Sequence, residues 1–324
     1  MSCSAIGIRA LTLAGALLFP LLAVAQPYPS RPIRIIVPFS AGSASDIIAR
    51  TIGVKLRDVI GQDVLVENRP GAIGTIGSAA AAKAAPDGYT IAMGASGTHG
   101  SSVALFTKLP YDPVADFAPI TLIGQIPFVL AVGSDLREKS VPELVASARA
   151  APGRRTLAAA SGVSHLFGEL FKITTGTDLT IVPYKELTGV FMDVGAGRVD
   201  GTFETLPASL SQIRAGRLKV LAITSSKRSA LLPDTPTVAE TGYPGFEGSV
   251  WTAFFAPAGT PKPMLAKLHT SLVQVLEMAD VKESLRLSGT EVMTSTPEEL
   301  GNMVKAEIAK WNRVASQARL PKRD

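Results

Sequence analysis

Hydroxyls, glycines and backbone amides, rather than paired acids or clustered histidines, are the groups here whose spacing points to chemistry. From residue 33 the chain reads Ile-Arg-Ile-Ile-Val-Pro-Phe-Ser-Ala-Gly-Ser-Ala-Ser-Asp-Ile-Ile-Ala-Arg. The β-branched run 33–37 predicts a buried strand. Phe39, Ser40, Ala41, Gly42 and Ser43 follow as a loop of small residues, and Asp46 opens a helix with Ile48, Ile52, Leu56, Val59 and Ile60 on one face. A strand, a small-residue loop and a helix start make an anion cradle, because unpaired N–H groups and the positive end of the helix dipole point into the loop. Ser40, Ser43 and Ser45 add hydroxyls. Asp46 is expected to cap the helix, a role that by itself accounts for an acid there.

Four further stretches end predicted strands. Ser96, Thr98 and His99 follow 89–93; Ser161, Gly162, Val163 and Ser164 follow 156–160 and open a helix, repeating the cradle logic. Tyr184, Lys185 and Glu186 follow 179–182, and Phe203, Glu204 and Thr205 follow the strand that begins at Val199. Any one of these is explained as a turn needing Gly or Ser. Their recurrence at equivalent strand ends favours a ligand held from two sides, such as one with a carboxylate at each end.

Catalysis finds less support. No G-x-S-x-G elbow occurs, although Gly94-Ala95-Ser96-Gly97 approaches one. His99, His165 and His269 lack metal-ligand spacing, and the glycines at 71, 74 and 77 lack the G-x-G of a dinucleotide site. An exported α/β hydrolase would have to use Ser96 with His99, the pair at this near-elbow. No catalytic residue, metal or cofactor is assigned.

The elements that must position these loops alternate strand and helix almost throughout, which argues for sheets of mainly parallel strands covered by helices. After 64–67 come a helix over 73–84, strands at 89–93 and 120–132, a helix over 141–150, and further βα units up to a strand at 218–223. Two helices, 264–278 and 297–318, are expected to close the chain. The extended segment 111–132 and the Pro- and Gly-rich 232–256 break the rhythm and read as crossings between two lobes: lobe I of 26–125 plus 252–324, and lobe II of 126–251. The ligand cleft lies between them at the carboxyl ends of the strands.

Residues 1–25 read as an export signal: Arg9, an apolar stretch over 10–22, and Ala23-Val24-Ala25 before Gln26. Removing 25 of the 324 residues leaves 299 and takes the net charge from +5 to +4, since Arg9 is the only charged residue lost. The sole cysteine, Cys3, leaves with it, so the mature chain has no disulfide and relies on packing. Its basic residues are dispersed, and Arg154-Arg155 and Lys322-Arg323 lack aromatic neighbours, so nucleic acid is not an expected partner.

Nine ordered blocks resemble the substrate-binding receptors of tripartite tricarboxylate transporters, the Bug family. They are Pro-Phe-Ser-Ala-Gly-Ser-Ala-Ser-Asp (38–46), Val-Glu-Asn-Arg-Pro-Gly-Ala (66–72), Ala-Pro-Asp-Gly-Tyr-Thr (85–90), Leu-Pro-Tyr-Asp-Pro (109–113) and Asp-Phe-Ala-Pro-Ile (116–120). His-Leu-Phe-Gly-Glu-Leu-Phe (165–171), Val-Pro-Tyr-Lys (182–185), Leu-Pro-Asp-Thr-Pro-Thr-Val-Ala-Glu (232–240) and Phe-Ala-Pro-Ala-Gly-Thr-Pro (255–261) complete the set. The resemblance implies an α/β, two-lobed periplasmic binding protein of type II, acting as a monomer, that captures a small organic acid. It delivers that acid to a two-component membrane permease, or as an orphan receptor presents it to a sensor kinase. Phe39, Ser40, Ala41, Gly42, Ser43 and Asp46 would hold one carboxylate, often through water. Ser96, Thr98, His99, Ser161 to Ser164, Tyr184, Lys185 and Glu204 would complete the site. Three departures concern the second cradle: 160–164 is shorter than the family's stretch, Glu186 follows Tyr-Lys in place of Gly, and Glu204-Thr205 stands where Asp-Asn is common. Ala41-Gly42-Ser43 in place of Pro-Gly-Gly is a milder change in the first. A monocarboxylate, an aromatic acid or an amide-bearing ligand is therefore expected ahead of citrate.

Overall fold

Alternating β-branched runs and helical periodicities put strands and helices in nearly the expected order. The computed structural model describes residues 28–322; the signal segment, its cleavage site, Cys3 and Arg323 lie outside the described residues. The chain opens with β1 (Ile33–Val37), α1 (Ala44–Ile60) and β2 (Val64–Asn68). A tight turn at Ala72–Gly74 leads into α2 (Thr75–Ala82), β3 (Thr90–Ala95), a wide helical turn at Gly97–Ser101 and the short α3 (Ser102–Leu105). Then come β4 (Phe117–Gly133), α4 (Val141–Ala150), β5 (Thr156–Ala159), α5 (Gly162–Thr175), β6 (Thr180–Pro183), α6 (Leu187–Gly195), β7 (Gly201–Thr205), α7 (Leu206–Arg214) and β8 (Leu218–Ile223). The chain closes with β9 (Ser249–Pro257), α8 (Lys262–Leu276), α9 (Ala279–Leu287), β10 (Glu291–Val292) and α10 (Pro297–Gln317). The closing pair of helices is thus a set of three: Val281 and Leu285 give α9 an apolar stripe that its many charges hide in the sequence.

The 17-residue β4 joins two half-sheets. From Phe117 to Pro127 it pairs antiparallel with β9; from Phe128 onward it pairs with β7 and β8. Outside these central strands, β2, β1 and β3 run parallel in one half, and β6, β5 and β7 in the other. The register with β9 shifts between Pro119 and Thr121, which accommodates a residue with no N–H to donate. Thr224, just past β8, ties the two crossing segments together: its hydroxyl accepts from the Phe128 N–H at 3.1 Å and donates to the Gly248 carbonyl at 2.6 Å.

Each half-sheet has its own cores. In the first, Ile33, Ile35 and Val37 meet Ile48, Ile52 and Leu56 of α1 and Leu272 and Val275 of α8. The opposite face packs Ile36, Phe117, Trp251 and Phe255 with Leu300 and Val304 of α10. In the second, Phe128, Phe203, Phe246 and Trp311 gather around Phe167, with Phe171, Val314 and Ala315 in the same core. Burying each such aromatic side chain contributes about 1.5–3 kcal/mol. A single helix, α10, therefore enters both.

Candidate ligand site

The first cradle is built by a cap one turn earlier than expected. Ser43, not Asp46, is the N-cap of α1; its hydroxyl accepts from the Asp46 N–H at 3.3 Å. Both residues suit a helix start, and the chain enters the helix at the first of them. Asp46 lies in the first turn, 3 % exposed, and turns inward. Its carboxylate accepts from Arg50 Nε at 3.1 Å, from the Gly42 N–H at 2.8 Å and from Asn68 Nδ2 at 2.9 Å. The Arg50 hydrogen bond, with those from Gly42 and Asn68, holds the carboxyl down to about 2. Asp46 is thus a permanent anion that organises the loop. The Ser43 N–H is also spent, on the Ser40 carbonyl at 3.1 Å. The N–H groups of Ser40, Ala41, Ala44 and Ser45 have no acceptor among the described residues, and Ser40, Ala41 and Gly42 are exposed. Phe39 is half-buried, and its carbonyl accepts a second bond from Asn68.

Asn68, which sequence reasoning did not single out, is the link that fixes the loop to β2. Beside it lies a second missed feature: Gly71, Ala72, Ile73 and Gly74 all have positive φ (127°, 45°, 56° and 90°). For the β-branched Ile73 this left-handed conformation costs roughly 1–2 kcal/mol. A side chain at Gly74 would collide with Thr98 (2.8 Å) and crowd Phe39 (3.3 Å), so this turn lies directly on both loops. The helix expected from residue 73 begins only after it.

Thr98 and His99 face inward. Thr98 is fully buried, its hydroxyl donating to the Ala95 carbonyl and accepting from the Ala95 N–H. His99, also fully buried, stacks on Phe255 with ring centroids 4.3 Å apart and meets Phe117 edge-on at 4.5 Å. Burial pushes its imidazole down to about 3, so the ring is neutral. Its Nδ1 is engaged with Thr98 Oγ1 at 2.9 Å, while the Ser96 hydroxyl has no partner among the described residues. Ser96 and His99 therefore do not form the nucleophile–base pair that a hydrolase would need. His99 is packing, held by an aromatic on β9 that no local sequence signal connects to it.

In the second cradle Ser161 caps α5, accepting from the Ser164 N–H at 3.0 Å. Ser164 is buried and donates its hydroxyl to the Phe203 carbonyl at 2.6 Å, fastening α5 to β7. The N–H groups of Gly162 and Val163 have no acceptor among the described residues. A side chain at Gly162 would meet Leu105 of α3 at 2.9 Å, so the start of α5 touches the end of the 96–105 segment. Tyr184 donates its hydroxyl to Asp193 at 2.7 Å, and Lys185 is exposed with no ion pair among the described residues. Glu204 sits inside β7, opposite Val129 of β4, rather than in a loop. It is 7 % exposed, and its Oε1 is buried with no hydrogen-bond partner among the described residues. Burial pushes its carboxyl up to about 7, against the weaker pull of the Ser164 hydroxyl and the N–H groups of Ala160 and Thr205.

Another hollow, of about 310 Å³, lies around Asp135, Arg137, Glu138, Arg155 and Asp200. There Arg155 is already bonded to Asp200 and Glu138, so its charge is spent internally.

Comparison with known proteins agrees with this architecture. Residues 48–320 match the tripartite tricarboxylate transporter family receptor. Protein BugT of Bordetella pertussis is 37% identical over 290 residues, covering 89% of each chain. The structure of R. palustris Rpa4515 with adipate superposes with a TM-score of 0.73 at 36% identity, covering 90% of this chain and 98% of that one. MatC from Rhodopseudomonas palustris with bound malate gives 0.70 at 34%, covering 89% and 99%. With a match across most of its length, this chain belongs to the tripartite tricarboxylate transporter receptor family, a family of solute-binding receptors rather than enzymes.

Proposed function

We propose that this chain is a periplasmic receptor that captures a small carboxylate and delivers it to a two-component membrane permease. The observation that carries this reading is the pair of helix starts, α1 and α5, with unspent N–H groups at Ser40, Ala41, Ala44 and Ser45 on one side and Gly162 and Val163 on the other. Such groups favour an anion and offer nothing to a cation. Adipate and malate in the two related structures are carboxylates, in keeping with that chemistry. The lobes are 26–125 plus 252–324 and 126–251, after release of the signal at 25/26. Ligand binding favours the state in which both cradles touch it. Phe39, Ser40, Ala41, Ser161, Gly162, Val163, Lys185 and Glu204 are the contacts, while Gly42, Ser43, Asp46, Thr98, His99, Ser164 and Tyr184 hold the loops in shape.

The test is a thermal-shift screen of purified, refolded protein against carboxylic acids. A ligand at ~100 times its Kd adds about 2.7 kcal/mol of stability, a clear rise in Tm. Stabilisation by carboxylates and not by their amides or by amines is expected; a response confined to uncharged or cationic compounds overturns the reading.

A further inference from the structure

We propose that Glu204 fixes how the far end of the ligand is recognised, by donating a proton to its distal oxygen, so that a dicarboxylate is captured together with one proton. The inference rests on the receptor reading and concerns the same site. A second ligand carboxylate drawn to the free N–H groups of Gly162 and Val163 at the start of α5 arrives beside Glu204, whose carboxyl adjoins Ser164 and Ala160 of the same cradle. Glu204 is only 7 % exposed, and its Oε1 is buried with no hydrogen-bond partner among the described residues. Two adjacent carboxylates in such a place cannot both be charged. One proton between them resolves the clash and gives the orphan oxygen a partner.

Among the described residues no cation pairs with Glu204, and Lys185, itself a ligand contact, is exposed with no ion pair to it. On α5, His165 lies 3.6 Å and Lys172 3.2 Å from Glu169, which occupies both. The 184–186 loop offers Tyr184, bonded to Asp193 of α6, and the exposed Lys185 and Glu186. Asp193 is in turn paired with Arg198. β4 and β5 carry no ionisable side chain, and that of α7, Arg214, is at its far end. Ligand dianion, ionised Glu204 and one solvent proton combine without any other change of bond; a ligand whose distal group is already neutral needs no proton.

The experiment compares adipate and related α,ω-dicarboxylates with their monomethyl esters, by titration calorimetry from about pH 6 to about pH 8.5 in buffers of different ionisation enthalpy. Dicarboxylate affinity should fall ~10-fold per pH unit above about 7, with uptake of close to one proton, while monoester affinity stays flat. Glu204→Gln should flatten the dicarboxylate slope, and His165→Gln should leave it. The calorimetric proton count needs no variant, so a misfolded Glu204→Gln does not spare the proposal. A pH-independent dicarboxylate affinity, a slope that survives Glu204→Gln, or monoesters bound alone at every pH overturns the inference and leaves the receptor reading standing. Binding of neither series, or of any other carboxylate, overturns both.

Discussion

Asp46 and Glu204 hold matching places, each a carboxyl set against the start of a helix that follows a parallel strand. Their states are opposite. Asp46 has the Arg50 guanidinium, the Gly42 N–H and the Asn68 amide around it and sits near 2; Glu204 has burial and a bare Oε1, and sits near 7. A helix start does not by itself ionise an acid; the guanidinium beside Asp46 does, and burial opposes it at Glu204. The first cradle is therefore rigid and fixed in charge, with its anion spent on architecture. The second is poised, with its acid left free to answer a ligand.

Several substitutions would break or sharpen that contrast. The largest effect is expected from Asp46→Ala, which strips three donors of their acceptor at once; about 3 kcal/mol of stability should be lost, read as a shift in urea midpoint at unchanged slope. A loss under about 1 kcal/mol would mean that the loop does not depend on Asp46. Glu204→Gln should act the other way. With its carboxyl raised from 4.5 to about 7, Glu204 contributes stability that is full below pH 4.5 and lost as pH rises through 7. The Gln variant should gain on the order of 2–3 kcal/mol over the native chain at pH 8 and nothing below pH 4.5, as Tm against pH will show. Ser43→Ala and Ser161→Ala each remove one N-cap acceptor and should cost about 1 kcal/mol apiece; unequal losses would show that one cap is backed up by its neighbours. Smallest of all, Ile73→Gly should stabilise by up to about 1 kcal/mol by removing left-handed strain, unless the exposed isoleucine gains that much from contacts on closure.

How much of this could be read from the chain follows the range of the forces involved. The strand and helix of the first cradle are local: β-branched residues at 33–37 and apolar residues at 48, 52 and 56 declare themselves by period alone. The long extended run through β4 is legible for the same reason. Ser43 and Asp46, three residues apart, are equally suited to cap a helix, and only the path of the loop chooses Ser43. His99 and Glu204 were legible as residues of strand ends but not as buried ones. The first is covered by Phe255, more than a hundred and fifty positions along the chain, and the second lies across from Val129 on β4. Local pattern carries no trace of such partners, nor of the left-handed turn at 71–74, where an isoleucine stands in a conformation that favours glycine.

The path of α10 bears on the timing of folding. Leu300 and Val304 close the core of the segments made first, whereas Trp311, Val314 and Ala315 fill the core of the segments made in the middle. A chain emerging in order from a ribosome can assemble β5, β6 and β7 early, but the α10 side of their aromatic cluster, where Trp311 meets Phe167, stays open until α10 is made. Cutting the chain before Trp311 should thus leave the middle segment with an exposed apolar hollow and prone to aggregate.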